Sequence, residues 1–317
     1  MKKYVVGVDV GGTNTEYAII DEEGKIYANR NISTRCCETF DEYISFLAED
    51  ILKLAEENGF KGKIERIGVG APNANYFSGN IEYAPNLLWK GVLPFAEMLS
   101  SQTGIPVVLT NDANAAAIGE MVYGGAKEMK DFVIVTLGTG LGSGFVCNGE
   151  LLYGSDGFAG ELGHCIVSLD NSRLCGCGRY GCLETFVSAT GIVRTAIELL
   201  EKSDCKSKLR GIDYEELNSL KIAEAATEGD EIALKAFDKT AFYLALALVN
   251  VTAITVPEAY FISGGLCKAG NLLFDPLNKY YNEMILPLFK GKTKILKSEL
   301  IDKNTGLLGA AALAFKY

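Results

Sequence analysis

The sequence predicts an α/β protein of two similar lobes with a cleft between them. Two stretches share one design, in which a strand, a glycine-rich turn, a second strand, a polar turn and a third strand follow one another. Helical patterns follow both stretches. The chain has 317 residues, which is enough for two domains of ordinary size. We therefore expect two lobes of one construction, whose glycine turns face the cleft.

The first stretch lies at the start of the chain, and the second lies near its middle. The first has predicted strands at residues 4–8, 16–20 and 25–28, with turns at 9–14 and 21–24. The second has predicted strands at residues 132–137, 143–147 and 150–153, with turns at 138–142 and 148–149. Either glycine turn alone reads equally well as an ordinary hairpin turn, and their matching places favour a shared role.

Helical periodicity supplies the remaining layers. In residues 41–57 apolar side chains recur at the spacing of a helix with one buried face. Residues 307–315 read as a helix of small residues that packs closely against the core and crosses back to the first lobe. We therefore assign residues 1–117 to the first lobe, completed by residues 304–317, and residues 118–303 to the second.

The charge of the chain excludes several classes of protein. It carries 30 Lys and Arg against 40 Asp and Glu, a formal net charge of −10. So acidic a protein has no electrostatic attraction for nucleic acid or for an anionic membrane. Local backbone dipoles and a metal ion can still hold a phosphorylated ligand.

No segment resembles an export signal or a membrane span. The apolar run after Lys2 and Lys3 is cut short by Asp9 and the glycines that follow. The longest apolar stretch, residues 240–256, is interrupted by Asn250 and several threonines, so it reads as a buried helix that runs into a strand. We expect a cytoplasmic protein.

The nine cysteines indicate the same compartment. Three of them crowd between Cys175 and Cys182, and the others are scattered in a pattern that does not suggest a disulfide framework. The sequence assigns no role to Cys36, Cys37, Cys147, Cys165, Cys205 and Cys267. A reducing compartment suits such a set of thiols.

The two glycine turns suit a phosphate. Backbone N–H groups bind phosphate at close range, and glycine lets the backbone approach without a Cβ in the way. At the end of the first strand the Asp9 carboxylate would repel a phosphate unless Mg²⁺ lay between them. The residues of these turns assigned to the nucleotide are Asp9, Gly11, Gly12, Thr13, Asn14, Gly138, Thr139 and Gly140. Because residues typical of strands follow the second turn, the dinucleotide-binding pattern is excluded there.

A third glycine pair, Gly264 and Gly265, follows the apolar strand at residues 260–262. It would let the adenine and ribose of ATP lie against the second lobe. A plain turn at the end of a strand explains the pair equally well.

The strongest local signal is a group of thiols around the only histidine of the chain. The group comprises His164, Cys175, Cys177 and Cys182. One imidazole and three thiolates form a closed tetrahedral set for structural Zn²⁺. Cys165 is a rival ligand, but its side chain points away from that of His164 if this segment is extended. Zinc would tie the loop at residues 168–182 to a strand that carries His164, whereas buried thiols beside an exposed histidine are the alternative.

Several segments resemble motifs of the ROK family (repressors, open reading frames and kinases). The most specific are Gly160–His164 and Cys175–Glu184. Asp9–Thr13 and Leu137–Gly142 resemble the phosphate loops of that family, and Asn111–Asn114 resembles its catalytic segment. The resemblance runs in the family's order from residue 4 to residue 314, and is strongest to the zinc-containing, bacterial-type glucose kinases of the family.

The resemblance implies two RNase H-like lobes of the actin, Hsp70 and hexokinase type. It implies that ATP with Mg²⁺ phosphorylates a hexose at the 6-hydroxyl, and that Asp112 is the base. The sequence agrees, because Asp112 follows the predicted strand at residues 106–109 and so lies at a strand end facing the cleft. From the sequence alone, an N-cap of the next helix is a serious alternative role for Asp112.

The resemblance also implies which residues contact the sugar. The matching positions are Asn86, Asn111, Asp112, Glu161, His164 and Glu184. His164 would then use one ring nitrogen for zinc and the other for the sugar. Trp89 is expected to pack in the core rather than to stack on the sugar.

The substrate within the family stays open. This chain has Gly70–Asn73 where relatives often have Gly-x-Pro-Gly, and residues 73–76 are expected near one edge of the sugar. Glucose is the first choice, and N-acetylmannosamine, fructose, mannose and allose are alternatives. A homodimer or homotetramer is the assembly that the resemblance implies.

A sugar-sensing regulator is the alternative outside the enzymes. The repressors of the family carry a helix-turn-helix domain before the first phosphate loop. Here that loop begins at Asp9, so we expect no such domain, and the negative charge does not suit DNA.

Overall fold

The computed structural model describes residues 2–170 and 172–317. Met1, where the predicted first lobe begins, and Asn171, in the predicted zinc loop, lie outside the described residues. The strands are β1 (Tyr4–Val10), β2 (Asn14–Asp21), β3 (Ile26–Ser33), β4 (Ile64–Ala71), β5 (Ile81–Glu82), β6 (Val92–Leu93), β7 (Val107–Asn111), β8 (Phe132–Leu137), β9 (Leu141–Cys147), β10 (Glu150–Leu151), β11 (Ala259–Ser263) and β12 (Lys294–Lys297). The α-helices are α1 (Phe40–Glu57), α2 (Phe95–Thr103), α3 (Asp112–Tyr123), α4 (Ala189–Glu201), α5 (Ser219–Thr227), α6 (Glu231–Thr255), α7 (Asn271–Met284) and α8 (Thr305–Lys316). Short 3₁₀ helices cover Leu162–His164, Leu183–Thr185, Lys208–Gly211, Gly265–Ala269 and Pro287–Phe289.

The strands form two five-stranded sheets of the same design. The first sheet has the order β3-β2-β1-β4-β7, in which β1 to β3 are antiparallel neighbours and β1, β4 and β7 run parallel. The second sheet has the order β10-β9-β8-β11-β12, in which β9 and β10 are antiparallel and β8, β11 and β12 run parallel. The repeated order confirms the predicted duplication. A separate pair joins β5 and β6.

Helix α8 lies on the first sheet because small residues meet on both sides of the contact. It contacts β1 and β4, where Gly7 and Gly68 face the helix backbone. A Cβ on Gly68 would lie 1.9 Å from the carbonyl oxygen of Ala310, so any side chain there would push the helix away. The C-terminal segment is thus the closely packed helix that the sequence predicts.

The chain divides into two compact units. Unit 1 comprises the residues up to 130 together with 144–160 and 298–317, and unit 2 comprises 131–143 and 161–297. The predicted lobe boundary after residue 117 falls inside α3, which is one continuous helix and lies wholly in unit 1. Three segments predicted to belong to the second lobe therefore pack with unit 1, and they are residues 118–130, 144–160 and 298–303.

Two local predictions differ from the structure. β1 continues to Val10, so Asp9 lies within the strand, paired with Glu16 of β2, instead of in a turn after it. His164 lies in a 3₁₀ helix and not in a strand, because its backbone N–H donates to the carbonyl of Glu161 at 3.1 Å and closes a tight turn.

The apolar stretch at residues 240–256 belongs to α6 and its C-terminal end. The helix ends where Val256 adopts a left-handed conformation, with φ 44°, and the next strand begins only at Ala259. The helix is therefore as predicted, but the strand lies beyond the stretch. Among the described residues, no helix combines the length and the apolar character needed to cross a membrane.

Candidate active site and metal centre

In unit 1, polar side chains collect where the parallel strands β1, β4 and β7 end. The carboxyl ends of parallel strands lie at one edge of a sheet. Asp9 of β1 pairs with Gly70 of β4, and Asp112 follows the last residue of β7. Helix α3 packs closely on Gly70, where an added Cβ would lie 3.2 Å from the Ala115 Cβ and 3.8 Å from the Asp112 Cα. The two carboxylates thus share one edge of the first sheet.

The N-cap of α3 is Asn111. Its side-chain oxygen accepts hydrogen bonds from the backbone N–H groups of Ala113 at 2.8 Å and Asn114 at 3.4 Å. Asp112 is the first helical residue, and its Oδ1 accepts the Ala113 N–H at 2.8 Å. The N-cap role that the sequence left open for Asp112 is therefore wrong.

Desolvation raises the pKa of both carboxyl groups. The pKa of Asp9 rises to about 6, first because of desolvation and then because of the negative charges of Asp112 and Glu16. Asp112 is exposed to solvent, but the surrounding protein weakens its solvation. This desolvation raises the pKa of Asp112, whereas the hydrogen bond from Ala113 lowers it, and desolvation is the larger effect. Such a pair is unfavourable without a cation, and carboxylate oxygens are ligands that Mg²⁺ prefers. The chemistry of this edge fits Mg²⁺.

The first glycine turn is held in place by the residues that follow β3. The Gly11 N–H donates to the carbonyl of Asn14 at 2.9 Å and closes the turn. The Thr34 hydroxyl donates to the Gly11 carbonyl at 2.8 Å, and the Arg35 Nε donates to the Gly12 carbonyl at 3.2 Å. Sequence reasoning missed Thr34, because a threonine after a strand gives no signal of a partner so far back in the chain.

The segment that carries Asn86 approaches the same turn. A Cβ on Gly12 would lie 2.7 Å from the Asn86 carbonyl oxygen, so the glycine permits this contact. The Asn86 side chain is exposed. Trp89 is only 8% exposed and donates its indole N–H to the Glu38 carbonyl at 3.1 Å, which confirms its packing role.

Residues 73–76 make hydrogen bonds and ring contacts within unit 1. Asn75 is buried, and its amide donates to the carbonyl of Asp156 at 2.8 Å. Its side-chain oxygen accepts the Phe77 N–H at 3.0 Å. Tyr76 stacks on Tyr153 with ring centroids 4.4 Å apart. These contacts fix the course of the segment.

In unit 2, the second glycine turn lies where β8 and β11 end side by side. Gly264, with φ 89°, follows β11, and a Cβ on it would lie 2.4 Å from the carbonyl oxygen of Leu137. Gly265 opens a 3₁₀ helix. The Gly138 carbonyl accepts the Ala189 N–H of α4 at 2.9 Å. The structure thus brings the second and third glycine motifs together at one edge of the second sheet.

Glu184 joins this turn to the thiol group. Its Oε2 accepts the Leu141 N–H at 2.9 Å, and its Oε1 lies 3.7 Å from the Cys175 Sγ. Glycine at position 140 leaves room for this carboxylate, because a Cβ there would lie 2.1 Å from the Glu184 Oε2 and would displace the side chain. The carbonyl of Thr139 accepts a hydrogen bond at 3.0 Å from the first turn of α4. No helix opens at the turn, as predicted, although β9 begins at Leu141, two residues before the predicted strand.

The side chains predicted to hold zinc lie together in unit 2. Their ligand atoms all lie within 4.8 Å of one another, and they belong to His164, Cys175, Cys177 and Cys182. The Cys177 and Cys182 sulfurs are 3.6 Å apart, and the Cys175 sulfur is 3.7 Å from the His164 Nδ1. Thiolates bound tetrahedrally at the usual Zn–S distance would be about 3.8 Å apart, so the set fits Zn²⁺. Cys165 is exposed and outside the set.

A tight hairpin positions the thiols. The Cys175 N–H donates to the Arg179 carbonyl at 2.8 Å, and the Gly178 N–H donates to the Cys175 carbonyl at 3.0 Å. The Arg179 guanidinium also donates to the His164 carbonyl at 3.0 Å. Burial works against the Cys177 thiolate, but hydrogen bonds from the Arg179 backbone and side chain lower the pKa of this thiol to about 6. A thiolate is the form that binds a metal ion.

The two ring nitrogens of His164 face different groups. Nδ1 points to the thiols, and Nε2 lies 3.9 Å from the Glu161 Oε2. With Nδ1 on a metal ion, the neutral ring carries its proton on Nε2. His164 can therefore bind a metal on one side and donate a hydrogen bond on the other.

Sequence reasoning missed Arg173, which anchors the loop that carries the thiols. It is 1% exposed, and it binds Glu198 of α4 through two hydrogen bonds of 2.8 and 2.9 Å. Its guanidinium also donates to the Thr195 hydroxyl at 2.9 Å and lies 4.2 Å from the centre of the Phe186 ring. The partners follow Arg173 at irregular distances in the chain, so the sequence held no signal of this contact.

Comparison with known proteins gives a consistent picture. The ROK family matches residues 5–316. A glucokinase of Halalkalibacterium halodurans is 36% identical over 290 residues, which are 90% of this chain and 87% of that protein. A putative xylose repressor of Caldicellulosiruptor is 30% identical over 315 residues, which are 98% of this chain and 77% of that protein. The crystal structure of a ROK family glucokinase from Streptomyces griseus, in complex with glucose and AMPPNP, has a TM-score of 0.78 and 31% identity, covering 99% of this chain and all (100%) of that chain.

Purified protein should contain close to one Zn²⁺ per chain, and Cys177→Ser should lose it. Because metal binding stabilises the loop, the melting temperature should fall by roughly 5 °C or more in this variant. Elemental analysis and thermal unfolding measure both effects. Cys165→Ser is the matched control and should keep zinc and stability. Metal-free wild-type protein of full stability would refute the zinc site.

Proposed function

The chain belongs to the ROK family, and on that premise we propose that it is an ATP-dependent hexose kinase that phosphorylates the 6-hydroxyl of glucose. N-acetylmannosamine, fructose, mannose and allose are the alternative substrates. The observation that carries the proposal is the shared edge of the first sheet, where Asp9 and Asp112 meet beside a glycine turn. The relatives named glucokinases support glucose as the substrate.

Asp112 acts as the base. One of its oxygens is held by the Ala113 N–H, which orients the carboxylate, and the other can accept the proton of the sugar hydroxyl. Its raised pKa makes it a stronger base than an ordinary carboxylate. As the hydroxyl oxygen attacks the terminal phosphorus, the proton passes to Asp112 and the bonding pair leaves with ADP.

The glycine turns bind the phosphates through backbone N–H groups, and they comprise Gly11–Asn14 in unit 1 and Gly138–Gly140 in unit 2. Bound Mg²⁺ would neutralise the charge that develops on the transferring phosphoryl group. Asp9 would hold this ion, directly or through water. Gly264 and Gly265 contact the adenosine.

The proposed sugar contacts are the residues that the family resemblance implies. In unit 2, the Nε2–H of His164 donates to a sugar hydroxyl, and the carboxylates of Glu161 and Glu184 accept from others. In unit 1, Asn86 and Asn111 supply amide groups. Because zinc on Nδ1 would fix the tautomer of His164, zinc aims the sugar-binding nitrogen without entering the reaction.

The proposal includes the place and the assembly of the enzyme. A cytoplasmic location keeps the zinc thiolates reduced. A homodimer or homotetramer is the assembly we propose. Neither nucleic acid nor a membrane is a proposed partner, given the net charge of −10.

An assay of ADP release across hexoses and N-acetylhexosamines tests this function. We expect activity with ATP and Mg²⁺, and the highest kcat/KM with glucose. A higher value for another hexose would replace glucose but keep the kinase. Inactivity with every sugar, combined with glucose binding in calorimetry, would favour a sugar-sensing regulator, which the similarity to a putative repressor makes the second candidate.

Replacement of the base is the sharper test of mechanism. Asp112→Asn should lower kcat by at least about a thousandfold while the dissociation constants for glucose and AMPPNP stay within about threefold. The reason is that the amide keeps the shape of the side chain but cannot take the proton. Glu65→Gln, an exposed carboxylate of the same unit, is the matched control and should leave kcat unchanged. Residual activity of Asp112→Asn within about tenfold of wild type would contradict the assignment.

A further inference from the structure

Cys36 and Cys37 form a pair of thiols that the proposed reaction does not use. Their sulfur atoms lie 3.4 Å apart, although consecutive side chains of an extended chain point to opposite sides. The turn after β3 brings them together, with the Cys36 N–H donating to the Ser33 carbonyl at 3.2 Å. Cys36 is exposed and Cys37 is half-buried, so a reagent in solution reaches Cys36 first.

The residues just before this pair are bonded to the first glycine turn. Thr34 makes two of the bonds, from its N–H to the Thr13 carbonyl and from its hydroxyl to the Gly11 carbonyl, each 2.8 Å long. Arg35 makes the third, to the Gly12 carbonyl at 3.2 Å. A change of backbone conformation at the thiol pair therefore acts on three successive residues of the turn.

The residues after the pair are fixed as well. The Glu38 carbonyl accepts the indole N–H of Trp89 at 3.1 Å, and Thr39 caps α1. Cys37 itself packs against the core of unit 1. Because residues on both sides of the pair are bonded, closure of a ring between the two thiols strains the backbone at Thr34 and Arg35 as well as at Glu38.

A disulfide between neighbouring residues is strained. Adjacent Cα atoms are about 3.8 Å apart, below the usual span of a disulfide, which is about 4.4–6.8 Å. Strained and exposed disulfides are readily reduced again, and they include the labile and regulatory ones. The pair is thus suited to reversible oxidation.

We propose that Cys36 and Cys37 are a modification site, at which a low-molecular-weight disulfide oxidises the pair and thereby weakens nucleotide binding by the first glycine turn. The Cys36 thiolate attacks the reagent, forms a mixed disulfide and releases one thiolate. The Cys37 thiolate then attacks the Cys36 sulfur and releases the second. Two protein thiols are oxidised to one disulfide, one reagent disulfide is reduced to two thiols, and the two protons pass to the released thiolates.

The effect on the nucleotide rests on the proposed function, whereas the modification does not. The test therefore treats the zinc-loaded protein with glutathione disulfide and measures both the modification and the KM for ATP. Trypsin cleaves after Arg35 and Lys53, so both thiols fall in the peptide of residues 36–53, which has no other cysteine. We expect this peptide to lose two hydrogens, and the KM for ATP to rise about fivefold or more at nearly constant kcat, both reversed by dithiothreitol.

Variants show whether the pair is responsible. Cys36→Ser and Cys37→Ser should each keep the KM of the reduced wild type in the presence of the oxidant. Cys205→Ser, which removes a cysteine of unit 2, should respond like the wild type. These comparisons separate the pair from oxidation of the zinc thiolates, which all variants retain.

The outcomes are distinct. The proposed site would be overturned if Cys205 is glutathionylated while the peptide of residues 36–53 keeps both thiols or carries two glutathiones. A disulfide in that peptide with an unchanged KM would overturn its effect on the nucleotide. A reduced protein without any kinase activity would contradict the proposed function instead, and the peptide mass would still decide the modification.

Discussion

The weakened solvation of the Asp9 and Asp112 carboxyl groups, to which the charge of Asp112 adds at Asp9, is the constraint on which the proposed site depends. Asp9 is held in β1 by its pairing with Gly70 of β4, and Asp112 begins α3 directly after β7, which pairs with β4 as well. The fold partly compensates at Asp9, where the first turn of α8 approaches so closely that a Cβ on Gly306 would lie 1.9 Å from the carboxylate oxygen. Even so, the pKa of Asp9 rises to about 6. A cation that binds together with the nucleotide would offset this unfavourable charge, which is the reason for proposing Mg²⁺ at this edge.

The candidate metal site of unit 2 is connected to the second glycine turn through one side chain. Glu184 accepts the Leu141 N–H with one oxygen and contacts Cys175 with the other. Arg173 and Arg179 hold the loop of the thiols against α4 and against His164. A metal ion in this group would therefore order the phosphate turn as well as the imidazole proposed to contact the sugar. This explains why a site without an open coordination position can matter for binding.

The predictable parts of the structure depend on signals that are local in the sequence. The duplicated sheets were predictable because strands and glycine turns repeat in the same order, and the metal ligands because three thiols crowd into one hairpin. The N-cap of α3 was not predictable, because Asn and Asp are equally good caps. The pairing of β7 with β4, which continues through Asn111, decides that Asn111 is the cap. The hydrogen bond between Glu184 and Leu141 and the contacts of buried Arg173 link residues that are far apart in the chain, and no sequence pattern indicates these links. The unit boundary was also not predictable, because no local signal shows that α3 continues past residue 117 and that residues 144–160 return to unit 1.

The protonation of Asp9 can be measured directly as the number of protons released when a magnesium nucleotide binds. At pH 6, near the pKa of Asp9, about half of the protein molecules carry the proton, and a cation beside the carboxylate displaces it. Calorimetry of Mg²⁺–AMPPNP binding in two buffers of different ionisation enthalpy gives the number of protons released. We expect the wild type to release more protons than Asp9→Asn, by a measurable fraction of one proton per chain. Equal proton release from the two proteins, with nucleotide bound to both, would contradict it.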